Sequence, residues 1–193
     1  MIIKGNKVNL TPFRISDIKN KNYISWLNNK KLLKYSNQRF ENNTPAKLKE
    51  FYLSTKSNKD FFYKILTKDK VFIGTIFCKI DKYHNTGNLG ILIGNKNFSS
   101  NGFGFDAWVT SIKYLKKKLK VRKIYAGTLT CNKPMLKIFI KSQMKFEAKF
   151  KRQEVVNKKF YDFIIYSTFI KWLFTFIFFF MVEIISSIPL EFF

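Results

Sequence analysis

Histidine is almost absent from this chain of 193 residues: His84 stands alone, in the polar turn KYHNTGN. A lone imidazole in such a turn reads as a solvated loop residue, and it speaks against a multi-histidine metal centre or a serine triad. Cysteine is scarce too. Cys78 and Cys131 lie far apart in strand-like runs, with no Cys-x-x-Cys zinc or redox motif. They read as reduced core thiols, which fits a cytoplasmic protein. The start, MIIKGNKVNL, lacks the apolar core of a signal peptide and points to the same compartment. Acidic side chains number 12 against 36 Lys and Arg, for a formal charge of +24. Such a field attracts anions: nucleic acid, anionic lipid or phosphorylated small molecules. The lysines are nevertheless scattered rather than set in one tract. The exception, KYLKKKLKVRK from Lys113 to Lys123, falls late in a predicted helix, where cations also suit the negative helix end.

What is present is a clear succession of periodic segments. VNLTPFR alternates as a strand and leads to a helix start at Ser16 or Asp17. YISWLNNKKLLKY places Tyr23, Trp26, Leu27, Leu32 and Leu33 at helical spacing, broken in two by NNK. Thr44-Pro45 is an N-cap followed by proline at the first helical position, opening a helix through AKLKEFYL. DFFYKILT, VFIGTIFCKI and NLGILIGN are consecutive antiparallel strands. A helix, GFGFDAWVTSIKYLKKKL, follows with Phe105, Trp108, Val109, Ile112 and Leu115 on one face. Strand KIYAGTLT, helix KPMLKIFIKS and strands KFEAKFKRQ and KFYDFIIYSTF complete the series. The order predicts an α/β (α+β) protein: one domain over residues 1–169 with a single mixed, mostly antiparallel sheet flanked by helices.

Residues 170–193 form a separate apolar tail, FIKWLFTFIFFFMVEIISSIPLEFF with its leading Phe169. Its length approaches that of a membrane helix, while Glu183 interrupts it. Membrane contact through this tail, a packed extension and an unusual gene end all stay open.

The segment SSNGFGF, Ser99 to Phe105, sets two glycines at a strand-to-helix junction. Bare backbone there lets amide N–H groups converge on a phosphate, helped by the positive helix end. A plain tight turn would look the same. The dinucleotide-binding fingerprint is excluded, because no third glycine follows and the preceding strands are antiparallel.

This segment resembles the acetyl-CoA signature of the GNAT acetyltransferase superfamily, Arg or Gln, two residues, Gly, one residue, Gly or Ala. Gly102 and Gly104 match, while Ser99 stands where Arg or Gln is usual. NLGILIGNKNF resembles the splayed strand that pairs with the pantetheine arm, with Leu92 and Ile93 at its contact positions. Asn132-Lys133-Pro134-Met135 resembles the family's Asn-x-x-Ser/Ala step, and KSQMKFEAKFKR its Lys-x-Gly-Phe-x-x-Glu-Gly pattern. Asp162 matches a recurrent Asp, and Trp26-Leu27-Asn28 resembles the branch of ribosomal-protein N-terminal and amino-sugar acetyltransferases.

The resemblance implies an acetyl-CoA-dependent N-acetyltransferase acting on a primary amine of a small acceptor, a nucleotide-linked amino sugar being favoured. Protein N-terminal acetylation is the alternative enzyme reading. A non-catalytic basic module for nucleic acid or anionic membrane is the alternative of another class. No metal and no nucleic-acid partner are expected. It further implies that Leu92, Ile93, Ser99, Asn101, Gly102, Phe103, Gly104, Phe105, Asn132 and Phe139 meet the cofactor, and that Asn132, Ser142 and Tyr166 are catalytic candidates. Phe139 stands where many relatives carry a tyrosine acid, so Ser142, Tyr161 and Tyr166 are the substitutes considered. Asp81, His84 and Glu147 are the candidate bases, and Lys96, Lys117 and Arg122 the candidate phosphate contacts.

Overall fold

The computed structural model describes residues 1–170; the apolar tail read from the sequence lies outside the described residues, apart from Ile170. Strand β1 (Ile3–Lys4) turns into β2 (Val8–Pro12), and helices α1 (Lys21–Leu27) and α2 (Pro45–Ser57) follow. Strands β3 (Phe61–Thr67), β4 (Phe72–Asp81) and β5 (Thr86–Ile93) form a meander. Helix α3 (Phe103–Lys117), strand β6 (Lys123–Leu129), helix α4 (Lys133–Lys141) and strands β7 (Lys145–Val156) and β8 (Lys159–Phe169) complete the chain. The eight strands make one sheet in the order β1-β2-β3-β4-β5-β6-β8-β7. Every pairing is antiparallel except β5 with β6. The mixed, mostly antiparallel sheet expected from the order of elements is therefore present.

Period-2 alternation builds a core on each face. Phe61 and Ile65 of β3 point to the α3–α4 side and join Ile73, Ile76, Trp108, Leu115, Ile124 and Phe139. Phe62 points the opposite way, into a cluster with Phe13, Ile18, Tyr23, Trp26 and Leu48 under α1 and α2. Phe13 stacks on Phe62 at 4.3 Å between ring centroids. Trp108 is fully buried, and its burial alone is worth roughly 3–5 kcal/mol against alanine. The buried stripe of α3 is rotated from the one expected. Ala107, Trp108, Ser111, Ile112 and Leu115 are buried, whereas Phe105 and Val109 stay half-buried. The small Ala107 and Ser111 let the helix lie close to the sheet, which an apolar-only reading overlooks.

The second half of YISWLNNKKLLKY is not α-helix. Helix α1 ends at Leu27, and residues 29–36 form successive turns before a short 3-10 helix at Asn37–Phe40. Asn28 ends the helix and is used elsewhere: its Nδ2 donates to Asn43 O at 3.0 Å, and its Oδ1 accepts from Asn43 N at 2.9 Å. Asn43 Nδ2 donates in turn to Leu27 O at 2.9 Å. This reciprocal clasp closes residues 28–43 into a compact loop at its root.

Asp106 ties the two ends of the site region together. From the first turn of α3 its carboxylate accepts from the backbone N–H groups of Asn6, Lys7 and Val8 at 3.1, 2.8 and 3.0 Å. Three amides on one carboxylate fix the β1–β2 turn against the start of α3. Replacing Asp106 with Ala is expected to cost about 2 kcal/mol, the loss of charge-assisted bonds at a half-exposed place. A lowered urea midpoint with an unchanged slope is the check; an unchanged midpoint would disprove the tie.

Candidate active site

The sheet forks between β5 and β6. The two strands pair only at Thr86–Lys123, Gly87–Ile124 and Asn88–Tyr125, and then separate. Strand β6 stays with β8 down to the pair Leu129–Phe163, while β5 continues with β4 to Ile93. The fork opens a cleft of about 950 Å³ whose walls include Gly90, Ile91, Ile93, Thr128, Met135 and Ile138.

The register assigns the amides along the open edge of β5. Gly94 N–H donates to Ile73 O at 2.9 Å. In an antiparallel ladder alternate residues bond to the same neighbour, so Leu92 and Gly90 donate to β4. The N–H groups of Ile91 and Ile93 point the other way, to the side that β6 has left.

Helix α3 begins beside this edge. Its N-cap, Gly102, has φ of +83°, in the left-handed region where a side chain is strained. Gly104 is different. A Cβ there would lie 3.4 Å from Ile93 Cγ1 and 3.8 Å from Ile138 Cδ1, ordinary contacts, so internal packing does not require a glycine. Its missing side chain leaves space between β5 and α4, directly over the amides that open α3. Lys7 Nζ donates to Asn101 O at 2.9 Å and lies 5.7 Å from the Phe103 ring, adding positive charge to the helix N-terminus. Free helix amides, a cation and an uncrowded backbone are the parts an anion cradle needs; the residues of the α3 start and Lys7 are not among those that line the cleft.

A family model for the acetyltransferase (GNAT) domain matches residues 7–145. The chain belongs to the GNAT acetyltransferase family. Comparison with curated protein sequences gives no significant match. Solved structures share the fold at low identity. A GNAT-family acetyltransferase from Bacillus anthracis is 18% identical, with a TM-score of 0.73 over 89% of this chain and 100% of that one. The ribosomal alpha-N-protein acetyltransferase RimL, in complex with coenzyme A, is 14% identical, with a TM-score of 0.76 over 88% and 98%. Spermidine N-acetyltransferase from Vibrio cholerae, in complex with CoA and spermine, is 17% identical, with a TM-score of 0.74 over 85% and 96%.

Within this GNAT fold the sequence-predicted residues separate into groups. Asn101, Gly102, Phe103, Gly104 and Phe105 form the start of α3, with Ser99 just before it. Leu92, Ile93 and Asn132 line the cleft. Asn132 is also the N-cap of α4: its Oδ1 accepts from Met135 N at 3.4 Å, and its Nδ2 donates to Thr128 Oγ1 at 2.9 Å. Phe139 is fully buried against Trp108 and Tyr166 and is absent from the cleft wall. Tyr166 stacks on Phe139 at 5.1 Å, and Ser142 donates to Ile138 O and Phe139 O at 2.7 and 3.1 Å; neither lines the cleft.

The candidate bases lie elsewhere. Asp81 accepts from the N–H groups of His84 and Tyr83 in the β4–β5 turn; these bonds, His84 foremost, hold its carboxyl below the usual range. Glu147 is held low chiefly by its hydrogen bond from Lys123. Neither of them, nor His84, lines the cleft. Lys117 is the last residue of α3, roughly 20 Å along the helix from the glycines, and Arg122 follows just before β6. Lys7 is the cation beside the loop, and a lone Lys in an N-terminal turn gives no sequence signal for that role.

Two further elements of the cleft escaped sequence reasoning. One is the 28–43 loop, whose Leu32, Tyr35 and Gln38 form a wall. The other is Glu154 of β7, which lines both the main cleft and a smaller adjoining hollow of about 260 Å³ beside Phe150 and Phe163. The motif Trp26-Leu27-Asn28 has a local explanation here: Trp26 packs on Phe72 at 5.1 Å, and Asn28 closes the loop. Because both ends of the Asn132 amide are engaged, Asn132→Ala is expected to lower stability by about 1 kcal/mol through the lost cap. Asn132→Ser should recover part of it in the same denaturation measurement. Equal midpoints for wild type and the Ala variant would exclude the capping role.

Proposed function

We propose that this protein is an acetyl-CoA-dependent N-acetyltransferase working in the cleft between β5 and β6. One observation carries the reading. The N–H groups of Ile91 and Ile93 face the cleft that β6 has left, and the start of α3 lies beside that strand, with Gly104 next to the Ile93 side chain. Acetyl-CoA, when bound, supplies an acetyl group activated as a thioester. The amides of Phe103, Gly104 and Phe105, with Lys7, fit its phosphates. The amides of Ile91 and Ile93 are positioned to donate to an acetyl oxygen as negative charge grows there.

The acceptor enters from the opposite end, between the 28–43 loop and β7. That end is lined by Tyr23, Tyr35, Phe163 and other apolar groups, with Glu41 and Glu154 as its carboxylates. Glu41 is paired with Lys47 at the surface, 3.3 Å away, with both side chains more than half exposed. Glu154 is far less exposed, at 17%, and its Oε2 accepts no hydrogen bond. That oxygen is buried beside Arg39, and Oε1, which carries one long bond from Asn37, is the atom to hold an ammonium group and take its proton, directly or through water. The acceptor in this reading is a primary amine of a small molecule. A nucleotide-linked amino sugar, spermidine and a tripeptide with a free N-terminus are the three chemistries to compare.

Release of free thiol from acetyl-CoA with each acceptor tests the reading. Gly104→Val, bulkier than the Gly or Ala the signature accepts, is expected to weaken acetyl-CoA binding at least about tenfold, with the urea midpoint confirming that the variant still folds. Glu154→Gln is expected to lower kcat/KM for the acceptor about a hundredfold with acetyl-CoA affinity unchanged. Unaltered acetyl-CoA affinity in the first variant would remove the cradle from the account. Unaltered turnover in the second would remove Glu154.

A further inference from the structure

The 28–43 loop is fastened at two places. Its root is closed by the Asn28–Asn43 clasp. Its tip is held to β7 chiefly by Arg39, with one long bond from Asn37 beside it. The guanidinium donates within the loop, through Nη1 to Ser36 O at 2.9 Å and to Asn37 Oδ1 at 3.4 Å. It also donates across the cleft, through Nη2 to Val155 O at 3.2 Å, and the same nitrogen lies 3.5 Å from Glu154 Oε2. Phe40 covers the guanidinium, with 4.3 Å from Cζ to the ring centroid. The Arg39 side chain is 11% exposed, so this is not a solvated surface pair of small consequence.

Glu154 depends on that contact. Its other protein partner is Asn37 Nδ2, a long 3.4 Å bond to Oε1. Glu154 lines both the main cleft and the smaller hollow; its Oε2 is buried beside Arg39, and its Oε1, with the long Asn37 bond alone, keeps capacity for a ligand. Just before it, three residues of β7, Lys151 to Gln153, oppose Asp162 alone, and Asp162 accepts from Arg152 N at 2.8 Å. A strand bulged at this point does not fix the direction of the next side chain by pleating alone.

We propose that Arg39 is the positioning residue of the acceptor site: it straps the 28–43 loop to β7 and aims the Glu154 carboxylate at the bound amine. The proposal rests on the N-acetyltransferase reading. Arginine suits the task because its planar fork reaches Ser36 O and Val155 O together, which a lysine ammonium on a flexible stem does not reproduce. The strap sets both the shape of the acceptor end and the place of its charge, so its loss falls on the acceptor and spares acetyl-CoA.

The test uses the full chain and thiol release from acetyl-CoA with spermidine, a nucleotide-linked amino sugar and a free-N-terminus tripeptide. Arg39→Met is expected to raise the acceptor KM about tenfold and to lower kcat, with acetyl-CoA affinity by calorimetry unchanged. Arg39→Lys should restore part of kcat, since a charge remains, but not the wild-type KM. Arg39→Met combined with Glu154→Gln should show no lower kcat than Glu154→Gln alone, because the arginine's effect on turnover passes through the carboxylate. Multiplying losses of kcat in the double variant, or wild-type kinetics in Arg39→Met, would overturn the proposal. Hydrogen exchange supplies the arm that needs no acceptor: amides 30–40 should exchange faster in Arg39→Met, and unchanged exchange would also overturn it. Wild-type failure on all three amines, with exchange accelerated as expected, would instead strike the proposed function and leave the strap in place.

Discussion

The separation of β5 from β6 after three paired residues is the constraint on which the rest of the molecule turns. A parallel ladder continued to Ile93 would consume the outward amides of that strand and close the cleft. The fork persists because each strand keeps a full partner on its other side. Strand β5 has eight consecutive pairs with β4, and β6 has seven with β8. The hydrogen bonds forfeited in the cleft are thus few, and the free donors lie where water or a ligand satisfies them. Helix α4 begins four residues after β6, and α3 follows β5 after a short 3-10 helix at Lys96–Phe98. The strand amides and the wall of α4 meet at the fork for a topological reason.

Charge is distributed around this fork in a way the total conceals. A formal charge of +24 invites a reading as a general anion binder. The described structure places Lys7 beside the N-terminus of α3, and lines the cleft with two carboxylates, Glu41 and Glu154, and two lysines, Lys34 and Lys47. The scarce acids are used individually. Asp106 holds the β1–β2 turn, Asp17 pairs with Lys64 at 2.7 Å, and Asp162 supports the bulge of β7. Among the described residues no cluster of His, Cys, Asp and Glu is arranged to hold a metal, and no helix is long and apolar enough to cross a membrane.

The order of strands and helices was readable because each segment keeps one period. The alternation of Phe61, Phe62 and Ile65 marks β3, the cap and proline at Thr44-Pro45 mark α2, and the paired glycines mark α3. The family was readable because Gly102 and Gly104, the β5 run and Asn132 occur in the right order. These are local features, set by backbone stereochemistry within a few residues. The 28–43 loop misled because Leu32 and Leu33 keep helical spacing while the Asn28–Asn43 clasp, fifteen residues apart, holds the backbone out of a helix.

By itself the sequence determined most of the elements, their order and the glycine-bearing start of α3, since periodicity and turn chemistry act at short range. Only the tertiary structure decided which groups face the cleft. Ser142 donates to helix carbonyls, and Tyr166 lies with its ring on Phe139; neither is among the residues that line the cleft. Glu154, unremarked among lysines, reaches the cleft because a bulge and a guanidinium 115 positions away in the chain (154 against 39) meet at it. The direction of a side chain at a distant strand edge is a property of packing between segments, and no local pattern encodes it.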